Sequence, residues 1–375
     1  MSHPLRVTLF TKIVTHYRLK FHELVRENLA QHGVEYVVCY SEPNADEKLK
    51  GDTVDISWGR KVSIFEKGRG VAIQAGVREF LSSNLSISTQ ENRLLLNYYF
   101  QIIRSSKHKF AFFGHGRNFQ SRNPSSLSER WKRIWATKVD WWFGYTEETR
   151  RHVEALGFPS ERITIFNNSI DTSELRNKAA TVSAERLAEL RADMKLGAHT
   201  GIFVGGIYPD KRISFLVEAV DLIRVRVPDF NLIVVGGGTG LSALTKVARD
   251  KPWIRVMGPR FDTEKVELMM LAQVFMMPGL MGLAILDAGA LGLPVATTAF
   301  PWHSPEIAYL EPERNGIMVQ EWENVEAYAK GVADLLLDPL RQEAMSKAAR
   351  IIAEQYSVEA MAARFSLGIL DALAA

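Results

Sequence analysis

The residues best suited to chemistry in this chain stand beside glycines that follow short apolar runs. Lys211 and Arg212 come a few residues after the run IFVGG at positions 202–206, and His115 lies between two glycines after the run Phe110–Phe113. Glycine lets main-chain N–H groups approach a ligand closely, and a cation in such a turn can offset the charge of a departing phosphate. The pattern favours a site for a phosphorylated ligand.

A second glycine-rich segment, Pro278–Thr298, reads PGLMGLAILDAGALGLPVATT and carries one charged residue, Asp287. It predicts a turn, a helix over about 283–291 and a strand that starts at Val295. The amino end of a helix presents unpaired N–H groups and a positive dipole end, which suit a phosphate or a carboxylate. We expect the ligand to lie between Gly279 and Asp287. The main-chain donors there would be Gly282, Leu283 and Ala284.

The apolar character of residues 272–300 has a second interpretation, because a segment of that length can span a bilayer. The glycines, the two prolines and the central Asp287 argue against a span. We therefore favour a buried helix between two strands of an α/β domain.

Length and composition narrow the class of protein. A chain of 375 residues with 46% hydrophobic and 24% charged residues is ordinary for a soluble protein of two domains. The start, MSHPLRVTLF, reads as a first strand, because its apolar run is too short for a signal peptide and lacks a cleavage site of small residues. The single cysteine, Cys39, excludes an internal disulfide framework and fits a reducing compartment, so we expect a cytoplasmic protein.

The two halves of the chain differ in charge. Residues 1–170 carry 25 Lys and Arg against 17 Asp and Glu, a net charge of +8, whereas residues 171–375 carry 21 against 26, a net charge of −5. A basic half can meet an anionic lipid, a phosphate-bearing acceptor or nucleic acid, or it can simply be a solvated surface. Since the sequence contains no nucleic-acid-binding module, we expect no nucleic acid partner.

Strand-like and helix-like segments alternate along both halves. This alternation predicts an α/β protein with two Rossmann-like, doubly wound parallel sheets, whose ligands bind at the carboxyl ends of the strands. The turn-forming run Asn167–Asp171 marks the boundary. We expect one domain over residues 1–170 and a second over 171–354, with a last helix at 355–375 that packs back on the first domain.

Five segments of the second half occur in an order that resembles the family 4 glycosyltransferases of GT-B fold. They read IFVGGIYPDKRISFLVEAV, LIVVGGGTG, IRVMGPR, ILDAGALGLPVATT and SPEIAYLEPERNGIMV. The resemblance covers roughly residues 110–340, and FNNSID stands where the family has its domain boundary. It implies a retaining, metal-independent transfer of a sugar from a UDP- or GDP-linked donor to an acceptor in an interdomain cleft. No cofactor and no metal are expected.

The resemblance also implies roles for single residues. Lys211 would neutralise the donor diphosphate and His115 would contact the donor sugar, so these two are the expected catalytic residues. Asp287 would hold the ribose, whereas the family's first acid falls at Gly279. An arginine that precedes the lysine by five residues in the family is Gly206 here, so Arg212 or Arg260 would supply its charge. The expected donor-binding residues are Gly205, Gly206, Lys211, Arg212, Gly237, Arg260, Gly282, Leu283, Ala284 and Asp287.

The segment after the first strand, TKIVTHYRLKF at 11–21, lacks the glycine pair that the family often has there. We interpret it as a polar, basic loop that contacts the acceptor, or else as a solvated loop. Arg117 and Asn118, just after the Gly-His-Gly turn, would also face the acceptor. The expected acceptor-binding residues are therefore His16, Arg18, Arg117 and Asn118, and the loop also carries Lys12.

The run Arg130–Trp135 mixes basic and aromatic residues. Trp131 and Trp135 are four residues apart and so share one face of a predicted helix. That face fits a membrane interface or, as is commoner for tryptophan, a protein core.

We hypothesise a glycosyltransferase that acts on a saccharide or glycolipid acceptor in bacterial surface polysaccharide or glycolipid assembly. An anionic membrane surface is a further candidate partner, which would place the protein peripherally on the inner face of the plasma membrane. Two alternatives stay open at this point. One is a GT-B-type nucleotide-sugar epimerase, and the other is a non-catalytic nucleotide-sugar-binding subunit, which the glycines at 206 and 279 suggest.

Overall fold

The computed structural model describes residues 4–48, 52–67, 71–91, 94–105, 107–116 and 127–375. It divides the chain into two compact units. The amino-terminal unit comprises residues 1–171 and 357–375, and the carboxy-terminal unit comprises residues 172–356. The boundaries expected from the sequence, 170 and 354, differ from these by one and two residues.

The amino-terminal unit is built on a parallel sheet. Within its described residues the strand order is β3-β2-β1-β6-β7-β8-β9, and β4 and β5 form a separate antiparallel hairpin. The strands are β1 (Leu5–Phe10), β2 (Val34–Tyr40), β3 (Arg60–Lys61), β4 (Ile64–Lys67), β5 (Val71–Gln74), β6 (Leu85–Thr89), β7 (Lys109–Gly114), β8 (Trp141–Gly144) and β9 (Ile163–Ile165).

Helices cover both faces of this sheet, because its strands are apolar on both sides. In chain order they are α1 (His16–Ala30), α2 (Ala45–Lys48), α3 (Val77–Leu81), α4 (Leu96–Ile103), α5 (Leu127–Ala136) and α6 (Glu147–Ala155). Our interpretation of residues 11–21 as a loop was wrong over its second half, since α1 begins at His16. Leu19 packs against the core, so this first turn is amphipathic despite its basic residues.

The carboxy-terminal unit, which is described throughout, has a parallel sheet with the order β12-β11-β10-β13-β14-β15. Its strands are β10 (Thr200–Val204), β11 (Asn231–Val235), β12 (Ile254–Gly258), β13 (Val274–Met276), β14 (Val295–Thr298) and β15 (Gly316–Val319). Its helices are α7 (Ser173–Thr181), α8 (Ala184–Asp193), α9 (Ile213–Arg226), α10 (Leu241–Ala248), α11 (Asp262–Met270), α12 (Ala284–Ala290), α13 (Val325–Leu336) and α14 (Pro339–Gln355).

The segment Pro278–Thr298 forms a loop, the short helix α12 and strand β14 inside this unit. Its helix is buried against α14. The two helices are so close that a Cβ added to Gly289 would lie only 2.8 Å from the carbonyl oxygen of Ala349. The interpretation as a buried α/β helix is confirmed. Among the residues that the structure describes, no helix is long and apolar enough to cross a membrane.

The last helix, α15 (Val358–Ala374), belongs to the amino-terminal unit and packs on α1 and β9. The ring of Phe365 lies 5.3 Å from that of Phe21 and 4.9 Å from that of Phe166. At Gly368 the helix comes so close to β9 that an added Cβ would overlap the side chain of Thr164. This contact leaves no room for a larger residue.

Replacing Gly368 by valine should therefore destabilise the amino-terminal unit. The new side chain must displace Thr164, whose hydroxyl accepts a hydrogen bond of 2.9 Å from the indole of Trp141. We expect the free energy of unfolding, measured by chemical denaturation, to fall by about 1–3 kcal/mol. Leu367→Val, at the exposed neighbouring position, is the matched control. Equal stability of the two variants would contradict close packing at Gly368.

Candidate active site

Two glycine-rich turns meet at the carboxyl ends of β10 and β11. The amide of Gly205 donates to the carbonyl of Val235 at 3.0 Å, and the amide of Ile207 donates to the carbonyl of Gly237 at 2.7 Å. The amide of Gly240 donates back to the carbonyl of Ile207 at 2.9 Å. The turns after the two strands are thus joined main chain to main chain.

This close packing explains several of the glycines. A Cβ at Gly236 would overlap the carbonyl oxygen of Gly205, and one at Gly238 would lie 2.6 Å from that of Ile207. Both glycines also have positive φ, +145° and +135°. The run GGGTG, which contains the expected donor-binding residue Gly237, is therefore required for the approach of one turn to the other. At Gly206 an added Cβ would meet the ring of Tyr208 at 2.7 Å.

Lys211 ends a short 3-10 helix, Pro209–Lys211, and is buried, with 7% of its surface exposed. Its Nζ donates to the carbonyl of Leu280 at 2.5 Å and lies 3.4 Å from the sulfur of Met277. Burial lowers the pKa of this lysine to about 8, while the neighbouring Asp210 acts in the opposite direction. Lys211, the residue expected to bind the diphosphate, is thus a buried cation that also holds the loop after β13.

Gly279, which stands at the position of the family's first acid, lies against the main chain of Asp210 and Lys211. The amide of Leu280 donates to the carbonyl of Asp210 at 2.8 Å. A Cβ on Gly279 would overlap that carbonyl oxygen and lie 2.8 Å from the carbonyl carbon of Lys211. In this conformation the loop has no space for a side chain at 279, which gives a physical reason for the missing acid.

His303 holds the other side of this loop, and sequence reasoning missed it. Its Nδ1 accepts a hydrogen bond of 2.9 Å from the amide of Met281, and its Nε2 donates to the carbonyl of Thr298 at 2.8 Å. Burial lowers the pKa of this imidazole, and the charge of Lys211 lowers it further. A neutral His303 therefore bridges the loop and the end of β14. The sequence feature that could have identified His303 is its position two residues before Pro305, in front of the segment SPEIAYLEPERNGIMV.

Arg212 is held by acceptors of its own unit. It adopts the left-handed conformation, with φ of +56°, directly before α9. Its guanidinium donates to the carbonyl of Trp322 at 2.5 Å and, at 3.3 Å each, to the carbonyl of Pro278 and the hydroxyl of Thr298. It also lies 4.0 Å from the centre of the Phe215 ring. Through these contacts Arg212 holds the loop at Pro278 in place.

Arg260 has a different environment. It is half-buried after β12, donates to the carbonyl of Pro259 at 2.9 Å and lies 3.4 Å from a carboxylate oxygen of Glu264. A Cβ at Gly237 would come within 3.1 Å of the Pro259 ring, so Arg260 follows a residue that borders the glycine turns. Of the two arginines proposed to replace the family's charge, Arg260 is the more accessible.

Asp287 lies in the first turn of α12 and forms an ion pair with Lys265 of α11 at 2.6 Å. Both side chains are largely buried. The pair fixes the direction of the carboxylate that we expect to hold the ribose. Gly282 and Leu283 come immediately before α12. The helix begins at Ala284, one residue after its predicted start.

A groove of about 730 Å³ runs between α9 and α10 on the same unit. Its lining is mainly apolar and includes Ile207, Phe215 and Leu244, with Arg212 at one side. Lys211 and Asp287 do not line it. Of the residues expected to contact a donor, Arg212 therefore borders the groove, whereas Lys211 and Asp287 do not.

In the amino-terminal unit, His115 follows β7 in a turn with two positive-φ glycines, Gly114 and Gly116. Its ring packs on that of Tyr145 at 4.5 Å. The guanidinium of Arg18 lies 5.7 Å from the centre of the same Tyr145 ring. One catalytic candidate and one acceptor candidate therefore border a shared tyrosine.

The other acceptor candidates are less closely grouped. Arg18 itself donates to the carbonyl of Ser169 at 3.0 Å and to the side chain of Asn168, so it also anchors the turn at the end of the unit. His16 is exposed at the start of α1. Arg117 and Asn118 lie outside the described residues.

Lys12 does not lie in a solvated loop, which was one of the two interpretations of residues 11–21. It is buried, and its Nζ lies 2.7 Å from a carboxylate oxygen of Glu47 and 2.6 Å from one of Glu66. The two acids come from α2 and the β4–β5 hairpin. This lysine therefore links the loop after β1 to α2 and to the β4–β5 hairpin.

Metal-binding side chains are not clustered in the part of the chain described here. Over those residues no three His, Cys, Asp or Glu side chains stand close enough together to hold a metal ion.

A family model matches part of the carboxy-terminal unit. Residues 198–338 match the family model for glycosyl transferases group 1. The chain is 30% identical over 231 residues to a GDP-mannose-dependent alpha-(1-6)-phosphatidylinositol monomannoside mannosyltransferase of Mycobacterium tuberculosis, covering 58% of this chain and 57% of the relative. It is 28% identical over 241 residues to a D-inositol 3-phosphate glycosyltransferase of Thermobispora bispora, covering 60% and 54%. The match thus spans little more than half the length of these relatives.

Solved structures resemble the whole chain. Anabaena Alr3699/HepE in complex with UDP superposes with a TM-score of 0.70 at 14% identity, over 98% of this chain and 99% of that one. The sucrose-phosphate synthase of Thermosynechococcus elongatus gives a TM-score of 0.68 at 14% identity, over 97% and 98%. At this identity the likeness concerns the fold, and the predicted GT-B class with two parallel α/β units is confirmed.

The lowered pKa of Lys211 generates a pH prediction. If the ammonium binds a diphosphate ester, affinity is full below the pKa of about 8 and is lost as the amine deprotonates above it. Between pH 7 and pH 9 we expect the affinity to fall about tenfold. UDP- or GDP-linked sugars are suitable probes, because their phosphates do not titrate in this range.

Lys211→Met should bind these probes weakly and without this pH dependence. Lys330→Met, which removes an exposed lysine of the same unit, should behave like the unchanged protein. Titration calorimetry at several pH values measures both effects. A flat profile for the unchanged protein would remove Lys211 from diphosphate binding.

Proposed function

Because residues 198–338 match the family model for glycosyl transferases group 1, we propose that this chain is a hexosyltransferase. It would move a sugar from a nucleoside diphosphate sugar, UDP- or GDP-linked, to a saccharide or glycolipid acceptor. The observation that carries the proposal is the buried Lys211 ammonium at the carboxyl end of the central strand β10, inside the matched region. Ligands of open parallel sheets bind at this edge.

The proposed chemistry is stabilisation of a departing diphosphate. Negative charge grows on that group as the bond from the sugar to it breaks, and a fixed cation stabilises it more than it stabilises the bound donor. Lys211 is fixed for this purpose by the carbonyl of Leu280. Arg260, the half-buried arginine beyond β12, would approach the same charge, while Arg212 keeps the loop at Pro278 in place.

The remaining donor contacts follow the same logic. Asp287 would accept hydrogen bonds from the ribose hydroxyls, in a direction fixed by Lys265. The amides that lead into α12 would face the phosphates, although this helix has only seven residues. His115 would hydrogen-bond the donor sugar. We propose a retaining reaction that needs no metal and no cofactor.

One of the two relatives supports a lipid-linked acceptor. The Mycobacterium tuberculosis protein is named for a phosphatidylinositol monomannoside, and the Thermobispora bispora protein for D-inositol 3-phosphate. We infer that this chain acts on a saccharide or glycolipid of comparable chemistry. A glycolipid acceptor would bring a cytoplasmic protein to the inner face of the plasma membrane as a peripheral protein.

The decisive experiment supplies radiolabelled UDP- and GDP-hexoses with and without a bacterial lipid extract or saccharide acceptors. We expect label in a new product only when donor and acceptor are both present. Lys211→Met should lower kcat/KM roughly tenfold to a hundredfold, since one charged hydrogen bond is lost. Lys330→Met again serves as the control.

Two outcomes would contradict the proposal in different ways. Conversion of the donor sugar without any acceptor would identify an epimerase. Nucleotide binding without turnover on any acceptor would identify a binding subunit, the alternative that the closed position at Gly279 keeps in view.

The role of Asp287 can be tested with nucleoside diphosphates alone. The unchanged protein should bind the ribonucleotide about fivefold more tightly than its 2′-deoxy analogue, since one hydrogen bond is lost. Asp287→Ala should bind both equally, and Lys265→Met should show a reduced preference because the carboxylate is no longer held. An unaltered preference in Asp287→Ala would assign the ribose to another residue.

A further inference from the structure

Three neighbouring helices of the amino-terminal unit expose large apolar side chains on their outer side. The helices α3, α4 and α5 precede β6, β7 and β8, and their residues Phe80, Phe100 and Ala136 belong to one core cluster, so the three helices lie on one face of the sheet. We call their exposed side the α3–α5 face. Its apolar members are Val77, Leu81, Leu95, Tyr99, Ile102, Trp131 and Ile134.

These side chains are additional to those that the helices bury. On the inner side Phe80 of α3 stacks on Phe100 of α4 at 3.9 Å, and both are fully buried. Ile102 of α4 nevertheless has 70% of its surface exposed, and Ile134 of α5 has 59%. A helix that is apolar on its outer side as well as its inner side normally has that side covered.

An aromatic cluster joins α4 to α5 beneath this face. The ring of Tyr98 lies 5.6 Å from that of Trp131 and 5.3 Å from that of Trp135, and the two indoles are 5.8 Å apart. Such contacts hold the two helices in register. Trp131 is exposed and Trp135 is half-buried. The helix face that the two tryptophans share therefore lies partly in the core and partly at the surface.

Cations surround the apolar side chains. Exposed lysines and arginines lie on these helices or directly after them, and Glu79, an acid of α3, is buried and pairs with Arg60 instead. The cations are Arg78, Lys107, Arg130, Arg133 and Lys138. Their charge agrees in sign with the +8 of residues 1–170.

We propose that the α3–α5 face docks on an anionic lipid bilayer. Tyrosine and tryptophan rings sit at the level of the lipid headgroups, where an apolar body and a polar tip are both accommodated. Ile102 and Ile134 enter the acyl boundary, and the cations meet lipid phosphates. The proposal concerns a binding surface and does not depend on the transfer reaction.

The charge on this face favours a bilayer over a protein partner. Interface cores between proteins are depleted in charged residues, whereas a membrane interface combines aromatic residues with lysine and arginine. Each cation near an anionic surface strengthens binding about fivefold, an effect that salt screens.

The test is co-sedimentation of the full-length protein with vesicles of phosphatidylcholine alone or mixed with phosphatidylglycerol. We expect binding to the anionic vesicles, little to the neutral ones, and release at high salt. Arg130→Glu combined with Arg133→Glu should weaken binding at least tenfold. Ile102→Ser combined with Ile134→Ser should also weaken it.

The matched control is Leu340→Ser, which removes a side chain of the other unit that is 81% exposed. It should bind vesicles like the unchanged protein. Thermal shift with nucleoside diphosphates checks that each variant is folded and separates this proposal from the proposed function. Equal binding to neutral and anionic vesicles, or no effect of the face variants, would overturn it. Dimerisation lost in the same variants, without vesicle binding, would instead assign the face to a second copy of the chain.

Discussion

A main-chain hydrogen bond between Asp210 and Leu280 is the contact on which the proposed donor site depends. It joins the turn after β10 to the loop after β13, and it brings the Lys211 ammonium onto the carbonyl of Leu280. Gly279 lies in this contact and cannot carry a side chain there. His303 holds the loop from its other side, so the lysine and the start of α12 keep a fixed relation within their unit.

Much of the carboxy-terminal unit could be predicted from the sequence, because parallel strands buried on both faces read as unbroken apolar runs that end in glycine. The apolar run IFVGG at 202–206 contains the last three residues of β10, which ends at Val204. Helix α12 and the strand after it also lie where their pattern placed them. The family resemblance, which is carried by the same segments, agrees with the match at residues 198–338.

The rest depends on contacts between segments far apart in the chain, which local pattern does not encode. Lys12 reads as a loop residue but is buried by two glutamates, one of them fifty-four residues away. Asp287 reads as a lone acid, and its partner Lys265 lies on another helix. Arg212 reads as a free cation beside Lys211, yet main-chain carbonyls from two distant loops hold it. In each case a side chain's charge was predicted but its partner was not.

The return of α15 to the amino-terminal unit affects the order in which the chain can mature on the ribosome. Phe365 completes a core that begins with Phe21 and Phe166, yet it is translated after all of residues 172–356. The carboxy-terminal unit is contiguous and can close while synthesis continues, whereas the first unit must wait with an open apolar surface. A nascent chain of this design therefore has a long interval in which a chaperone would find its target.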